Sequence, residues 1–324
     1  MTRPQPYVFS FADTALAEAG GVPLTALHRD ADAICRCYEA IRPVAERLGV
    51  EPPVPRLGGF SYCHVSALGA EVVFAEGSEP NVLPVIHAPE DIDSLREPDD
   101  YPSRGVAVER MAVLEELLAR RPDAATGIGA HPEGPITTAV LLMGQSFLLL
   151  PYEDPERAHR LLSFCVESGL NYQRAMDAHA GIAEAPGPAG ICDDFAGMFA
   201  PALFAEYVMP AWERVYTGRQ ATRRHLHSEL LRPEHLPFLA ELGIAVFDPS
   251  ADQYVTPEIL REQCPVPFTS RILSWEIQDN PPAELQAMYR RYAACEPVHI
   301  RFGMTFLSQE EKIAALLEVA RELA

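Results

Sequence analysis

Residues 223–248 carry the clearest change of hydrophobic period in the chain. Arg223-Arg224-His225-Leu226-His227 reads as a strand, in which successive side chains point to opposite faces. His225 and His227 then share one face and Leu226 takes the other. Glu229 is next on the histidine face if the strand persists. Leu236, Phe238, Leu239 and Leu242 recur at helical spacing, and Gly243 stands where a helix would end in a left-handed residue. Ile244-Ala245-Val246-Phe247 begins a second strand at once and closes on Asp248. Polar residues at the C-terminal ends of successive strands are what a (β/α)8 barrel uses to build its site.

The rest of the chain keeps this rhythm. Residues 1–50 read as helical, with Thr25 capping a helix through Ala31, Ile34, Tyr38 and Ile41, and Pro43 kinking it before Leu48. Glu51-Pro-Pro-Val-Pro55 interrupts. A short strand over 68–74, an extended segment over 80–86, a helix over 88–95 and an amphipathic helix over 106–120 follow. Residues 124–130 read as a buried strand with His131 at its end. Helices over 136–150 and 154–180 lead to Gly190-Ile-Cys-Asp-Asp194, where two adjacent carboxylates sit at a strand end. After a helix over 201–215 and the two strands above come a strand over 266–273, a helix over 281–295, a strand over 298–302 and a closing helix over 308–324. Ser308 is the expected cap of that last helix, with Glu311 three residues on. Six or seven core strands alternate with helices, without Gly/Ser linkers or internal repeats. This pattern predicts one α/β domain over 1–324: a parallel (β/α)8 TIM-type barrel over about 54–324, with 1–50 as an N-terminal helical addition.

Composition narrows the partners. The chain has 324 residues, 48% of them hydrophobic, and a net charge of −20. Nucleic acid and anionic membranes both require a basic surface, so neither is expected as a partner. The longest apolar runs, 139–143 and 147–150, are too short to span a bilayer, and the N-terminus lacks a signal-peptide pattern. The seven cysteines form no CxxC pair, and reduced thiols in the cytoplasm are the expectation. Lys312 is the only lysine, which argues against Schiff-base chemistry. No GxGxxG follows a strand and no GxxxxGK[ST] occurs, so the usual nucleotide folds lose their support.

The order of landmarks resembles one family. Gly69-Ala-Glu-Val-Val-Phe74 precedes Pro80; Gly134-Pro135-Ile-Thr137 precedes Met143-Gly144 and Tyr152-Glu-Asp-Pro155-Glu156. Cys192-Asp-Asp194 precedes Ala200-Pro-Ala-Leu-Phe204 and Pro210, and His225-x-His227 and Leu242-Gly243 follow. Over about 60–320 this looks like the uroporphyrinogen decarboxylase superfamily of (β/α)8 barrels. One branch decarboxylates uroporphyrinogen. Another transfers methyl groups between a corrinoid protein and a thiol such as coenzyme M, using zinc held by a His-x-Cys pair and a later Cys. The chain lacks the arginine-rich N-terminal motif of the decarboxylase, so it is placed nearer the methyltransferase branch. His227 stands where that branch has its first Cys, and Met304 where it has the later one.

The resemblance implies a metal-dependent methyl or alkyl transferase acting on a small thiol or corrinoid-linked substrate, with an altered site. His225 and His227 would supply two ligands to zinc or another divalent ion, and one further side chain the third. Glu229, Asp248, Asp194 and His299 are the candidates for that third place; Asp248, at the end of the adjacent strand, is the expected one. Without a metal the two histidines are hydrogen-bonded pocket residues. Asp193, Asp194 and Glu229 are expected as catalytic groups, and His131, Tyr254, Arg271 and Met304 as substrate-binding groups. Corrinoid is expected only as the cofactor of a partner protein. The alternatives are a metal-independent decarboxylase or lyase of the same superfamily, and a non-catalytic binding homologue. Cys192 and Cys264 lack a positioned base in the sequence and are not expected to act as nucleophiles.

Overall fold

The structure, a computed structural model, describes residues 6–75, 78–128 and 131–324. Its strands are β1 (Tyr7–Phe11), β2 (Glu71–Val73), β3 (Asn81–Leu83), β4 (Gly187–Cys192), β5 (Ala221–His227), β6 (Ile244–Asp248), β7 (Ser270–Arg271) and β8 (Ile300–Met304). β4, β5 and β6 form one parallel sheet in that order, and β1, β8 and β7 form another. A parallel bridge between Phe247 and Phe268 joins them, with Phe247 N donating to Pro267 O and Thr269 N to Phe247 O. The ladder therefore runs β4–β5–β6–β7–β8–β1. The fold is α/β with a parallel sheet, as the alternation of elements predicts.

Five expectations change. The segment 1–50, read as purely helical, contributes β1, whose Tyr7–Phe11 pairs residue for residue with Ile300–Met304. Its Tyr-Val-Phe-Ser-Phe sequence is dense in β-formers, and the partner strand decides the outcome. The helix expected from Thr25 to Ile41 is two: Asp30 adopts an extended backbone and caps Ala31–Ala40 by accepting from the amides of Asp32 and Ala33. The expected strand over 68–74 pairs antiparallel with Asn81–Leu83 in a separate two-stranded sheet. Within 124–130, residues 124–128 carry no strand, and 129–130 lie outside the described residues. Ser308 lies inside a 3-10 turn, Leu307–Gln309, and it is Gln309 whose side chain accepts from the amides of Thr305 and Phe306. Gly243 does take the left-handed conformation, at φ 64°.

Alternation sets the two faces of the sheet. Ala189 and Ile191 of β4, Leu226 of β5 and Phe247 of β6 are buried under helices with Trp212 and Tyr216. Ile300, Phe302 and Met304 of β8 are buried against the C-terminal helix Glu310–Leu323 through Ile313, Leu316 and Leu317. The residues between them face the opposite, concave side, where small and polar side chains (Ser10, Gly190, Cys192, Gly303) replace apolar bulk. Among the described residues no helix is long and apolar enough to cross a membrane.

The loops after β4 and β5 are locked together at Gly197. A Cβ there would lie 2.2 Å from the carbonyl carbon and oxygen of Leu230, whose own φ is 63°. Backbone against backbone cannot yield without moving the loop that carries Asp194. Gly197→Ala is therefore expected to destabilise the protein by about 1–3 kcal/mol, read as a lower denaturant midpoint at unchanged slope. A midpoint equal to that of the native chain would contradict this packing.

Candidate metal centre

Register puts three polar side chains in one row. Cys192, the last residue of β4, pairs with His227, the last of β5, and His227 pairs with Asp248, the last of β6. Parallel neighbours point to the same face, and adjacent strands stand about 4.8 Å apart. The backbone holds the row at its top edge: Asp193 N donates to His227 O at 2.9 Å and Ser228 N to Asp248 O at 3.2 Å.

This spacing sets the two histidines at different depths. His225 does share the face of His227, but it lies one layer lower, beside Gly190 and Val246. Along a strand, i and i+2 are about 6.6 Å apart, farther than lateral neighbours. The group that comes together is instead Cys192, Asp194 and His227, whose ligand atoms all lie within 4.8 Å of one another. Asp248 stands behind this group. Its Oδ2 lies 3.1 Å from Nδ1 of His227, while its Oδ1 accepts from Thr269 Oγ1 and Ser250 N. With Nδ1–H donated to Asp248, Nε2 of His227 is turned to Asp194, 3.5 Å from its Oδ1.

The two adjacent carboxylates separate by parity. Asp193 is fully buried on the helix side, where it accepts from Trp212 Nε1 (2.7 Å), Thr137 N (2.6 Å) and Ile136 N (3.2 Å). It anchors the start of helix Pro135–Met143, and those donors take up the carboxylate that was expected as a catalytic group. Burial pushes its pKa up to about 6 against the pull of those donors. Asp194 faces the row; Glu229 N donates to it at 3.3 Å. Glu229 turns its own carboxylate to Ala251 N.

Four substrate-binding expectations divide. Arg271 is at the row, its Nη2 3.9 Å from Asp248 Oδ2. Tyr254 lies on the loop after β6, its ring covered by the Arg232 guanidinium at 4.4 Å. His131 is exposed and bonds Gln173 at 3.1 Å, at a groove between helices Ala107–Arg120 and Pro155–His179 away from the row. Met304 is fully buried among the helices; Gly303, one residue earlier, takes the concave face opposite Ser10. His299 immediately precedes β8, and burial lowers its pKa, with the Arg301 charge adding to the effect.

Two further groups, Cys192 and Glu133, stand at the row. Cys192 has the parity of Asp194, two residues on, and that alternation was the available signal. Glu133 had none, because it arrives from a loop: Gly134 N donates to Cys192 O at 2.6 Å, which lays Glu133 beside the cysteine. Gly134 permits this approach, since a Cβ would come within 2.4 Å of Asp193. Glu133 shares hydrogen bonds with Ser61 and Cys192, and its buried Oε2 has no partner. Burial pushes its pKa up to about 7, and the Asp194 charge adds to this. The Cys192 thiol is raised well above its ordinary range by burial and by the charges of Glu133 and Asp194.

The donor set suits a borderline divalent ion: one sulfur, one imidazole nitrogen and one carboxylate oxygen leave a fourth position open. A thiol ringed by carboxylates keeps its proton unless a cation displaces it. The residues therefore fit zinc or a similar ion.

The His227–Asp248 pair has a defined pH window. Burial lowers the pKa of His227, but the Asp248 bond and the charges of Asp248 and Asp194 together raise it above 6.5. Burial likewise raises Asp248, and the His227 bond and charge hold it well below 3.8. A raised histidine loses its stabilisation as pH climbs through its folded value; a depressed aspartate loses it as pH falls through its own. The pair thus contributes fully between about 3.8 and 6.5. In metal-free Asp248→Asn protein the His227 pKa is expected to fall, because burial is left less opposed, and NMR titration of the imidazole reads this. The stability gap to the native chain should be widest inside the same window. An unmoved His227 titration would refute the pairing. Asp193→Ala, by contrast, strands three buried donors and should cost about 3 kcal/mol or more in denaturant unfolding, while Asp194→Asn should cost far less.

Comparisons with known proteins bear on the fold and the family. No curated protein matches the chain. A methyltransferase from Methanosarcina mazei of known structure superposes with a TM-score of 0.73 at 16% sequence identity, over 99% of this chain and 95% of that one. That likeness is one of fold. The sequence profile described as Uroporphyrinogen decarboxylase (URO-D) matches residues 17–266, well over half of the chain. The chain belongs to the uroporphyrinogen decarboxylase (URO-D) family.

Proposed function

We propose that this protein is a methyl or alkyl transferase-like enzyme of the methyltransferase branch. In this reading it is a single domain built on a closed (β/α)8 barrel and works in the cytoplasm. Cys192, Asp194 and His227 hold a divalent ion, zinc being the best match, and the substrate is a small thiol or a corrinoid-linked methyl group presented by a partner protein. The observation that carries this reading is the convergence of sulfur, oxygen and nitrogen donors within 4.8 Å at the ends of neighbouring strands.

The residues divide the work. Asp248 holds the Nδ1 proton of His227, so that Nε2 is presented as a neutral donor. Glu133 takes the Sγ proton of Cys192 when the ligand set forms, since its carboxyl exchanges protons near neutral pH. Asp194 supplies negative charge on the far side of the imidazole. The ion, when bound, supplies a Lewis-acid centre that lowers the pKa of a coordinated thiol or water. One thiolate, rather than the two of the branch's usual set, leaves that centre more positive. This favours binding of an oxygen or thiol substrate over a highly nucleophilic thiolate. A metal-free lyase is the second reading. It is favoured by Glu133 alone, whose free oxygen and near-neutral pKa suit proton transfer to a carbanion.

Elemental mass spectrometry of untagged protein separates the two. About one equivalent of metal is expected in the native chain, with loss in His227→Ala and Cys192→Ser and retention in His225→Ala. Loss in His225→Ala with retention in Cys192→Ser would restore the histidine pair as ligands. No metal, even after reconstitution with zinc or anaerobic Fe(II), would leave the lyase reading.

A further inference from the structure

Three buried side-chain atoms without a hydrogen-bond partner among the described residues belong to residues that border one cavity: Asp252 Oδ2, Ser270 Oγ and Arg271 Nε. The cavity measures about 140 Å³ and lies between the loop after β6, the end of β7 and the helices Pro257–Gln263 and Pro282–Ala294. That is room for about five groups the size of a water molecule. Val255 and Leu260 give it an apolar wall. Ser270 is only 2% exposed, so bulk water does not serve its hydroxyl. Orphaned groups of this kind are rare in folded proteins, because each carries its desolvation cost without relief. Three of them at one cavity point to an occupant.

The polar groups define what fits. Asp252 Oδ1 accepts from the amides of Tyr254 at 2.6 Å and Val255 at 3.3 Å, and the Leu231 amide pulls on the carboxylate more weakly. Its Oδ2 remains as a pure acceptor. Burial pushes the Asp252 pKa up, and the Glu229 charge acts in the same direction, so a cation beside it relieves both. Glu276 adds a second carboxylate. Its Oε1 accepts from the Tyr292 hydroxyl at 3.1 Å and its Oε2 from Leu273 N at 2.8 Å, which leaves each oxygen a further lone pair. Arg271 offers only a donor at Nε, and it shares its charge with Asp248, which lies 3.9 Å from its Nη2. Carboxylate charge therefore exceeds guanidinium charge around the cavity. A bare metal ion cannot accept from Arg271 Nε, and an anion would meet Asp252 and Glu276.

We propose that this cavity binds a small primary amine that also carries a neutral oxygen, as a short amino alcohol or amino amide does. The ammonium group donates to Asp252 Oδ2 within the field of Glu276. The neutral oxygen accepts from Arg271 Nε, and Ser270 Oγ bonds the same end. None of Cys192, Asp194, His227 and Asp248 borders the cavity, so the site stands whatever ion or reaction the row supports. It nevertheless shares two side chains with the support of the row. Thr269 Oγ1 donates to Asp248 at 2.9 Å, and Arg271 pairs with the same carboxylate. An occupant therefore lies against the residues that hold Asp248, which in turn orients His227.

The test is calorimetry and thermal shift on metal-free full-length protein with four probes at matched pH and ionic strength: ethanolamine, glycinamide, methylammonium and acetate. Saturable binding of ethanolamine or glycinamide is expected. Methylammonium, which lacks the oxygen, should bind about tenfold more weakly, and acetate not at all. Preference for ethanolamine assigns an amino alcohol; preference for glycinamide assigns an amino amide. Asp252→Asn keeps the Oδ1 acceptor for the two amides and removes the charge, and should weaken binding about ten- to hundredfold. Ser270→Ala removes only an unpartnered hydroxyl. It should melt at or above the native temperature and bind several-fold more weakly, so it decides the matter even if Asp252→Asn fails to fold. Absence of saturable binding for both oxygen-bearing amines would show a cavity filled by water alone and overturn the proposal. So would tighter binding of acetate than of either amine, or undiminished binding in Ser270→Ala. Metal content enters none of these readouts, so the cavity and the metal centre are decided separately.

Discussion

Parallel register is the constraint on which the site depends. Hydrogen bonds between β4, β5 and β6 bring the last residue of each strand level, and those residues are Cys192, His227 and Asp248. A shift of one residue in β5 would turn Leu226 to the concave face and bury His227 among the helices. Leu226 prevents that shift, since it is essentially fully buried and would have to be exposed. The apolar helix face of the sheet thus positions the polar face. The carbonyls of His227 and Asp248 extend the ladder by one further bond each, to Asp193 and Ser228, and so fix where the loops begin.

The second layer of control comes from a carboxylate that never meets the open face. Asp193 binds the indole of Trp212 and two amides at the start of helix Pro135–Met143. Gly134 lets that helix start pack against the aspartate. Glu133 is thereby delivered to Cys192 from outside the ladder. Two neighbouring acidic residues consequently do unlike work: one sets the position of a helix, and the other faces the imidazole. Burial acts on both, yet the partners differ, with three donors around Asp193 and a protonatable ring beside Asp194.

Much of this was legible from alternation alone. The strands over 223–227 and 244–248, the left-handed Gly243 and the shared face of the two histidines follow from period and turn chemistry. The same rule marks Cys192 and Asp194 as one face and Asp193 as the other. What period could not supply was the lateral spacing, which makes a strand neighbour closer to His227 than His225 is. Nor does it show which strands are neighbours: Tyr7–Phe11 stands in a segment that otherwise reads as helical, and its pairing with β8 makes it a strand. Met304 matches a ligand position of the family in sequence order, but the parity it shares with Ile300 and Phe302 turns it away from the site. The approach of Glu133 to Cys192 and the cavity bordered by Asp252 and Ser270 are made across loops and register, which a single sequence does not encode locally.

The central claim is a centre with one thiolate, from Cys192, beside the nitrogen of His227 and the oxygen of Asp194. X-ray absorption at the metal edge of zinc-loaded native protein tests it directly. The account predicts a first shell with one sulfur scatterer at about 2.3 Å and the remaining nitrogen or oxygen scatterers near 2.0–2.2 Å. A shell without sulfur, made only of nitrogen and oxygen, would contradict it and return the histidine pair to the ligand set.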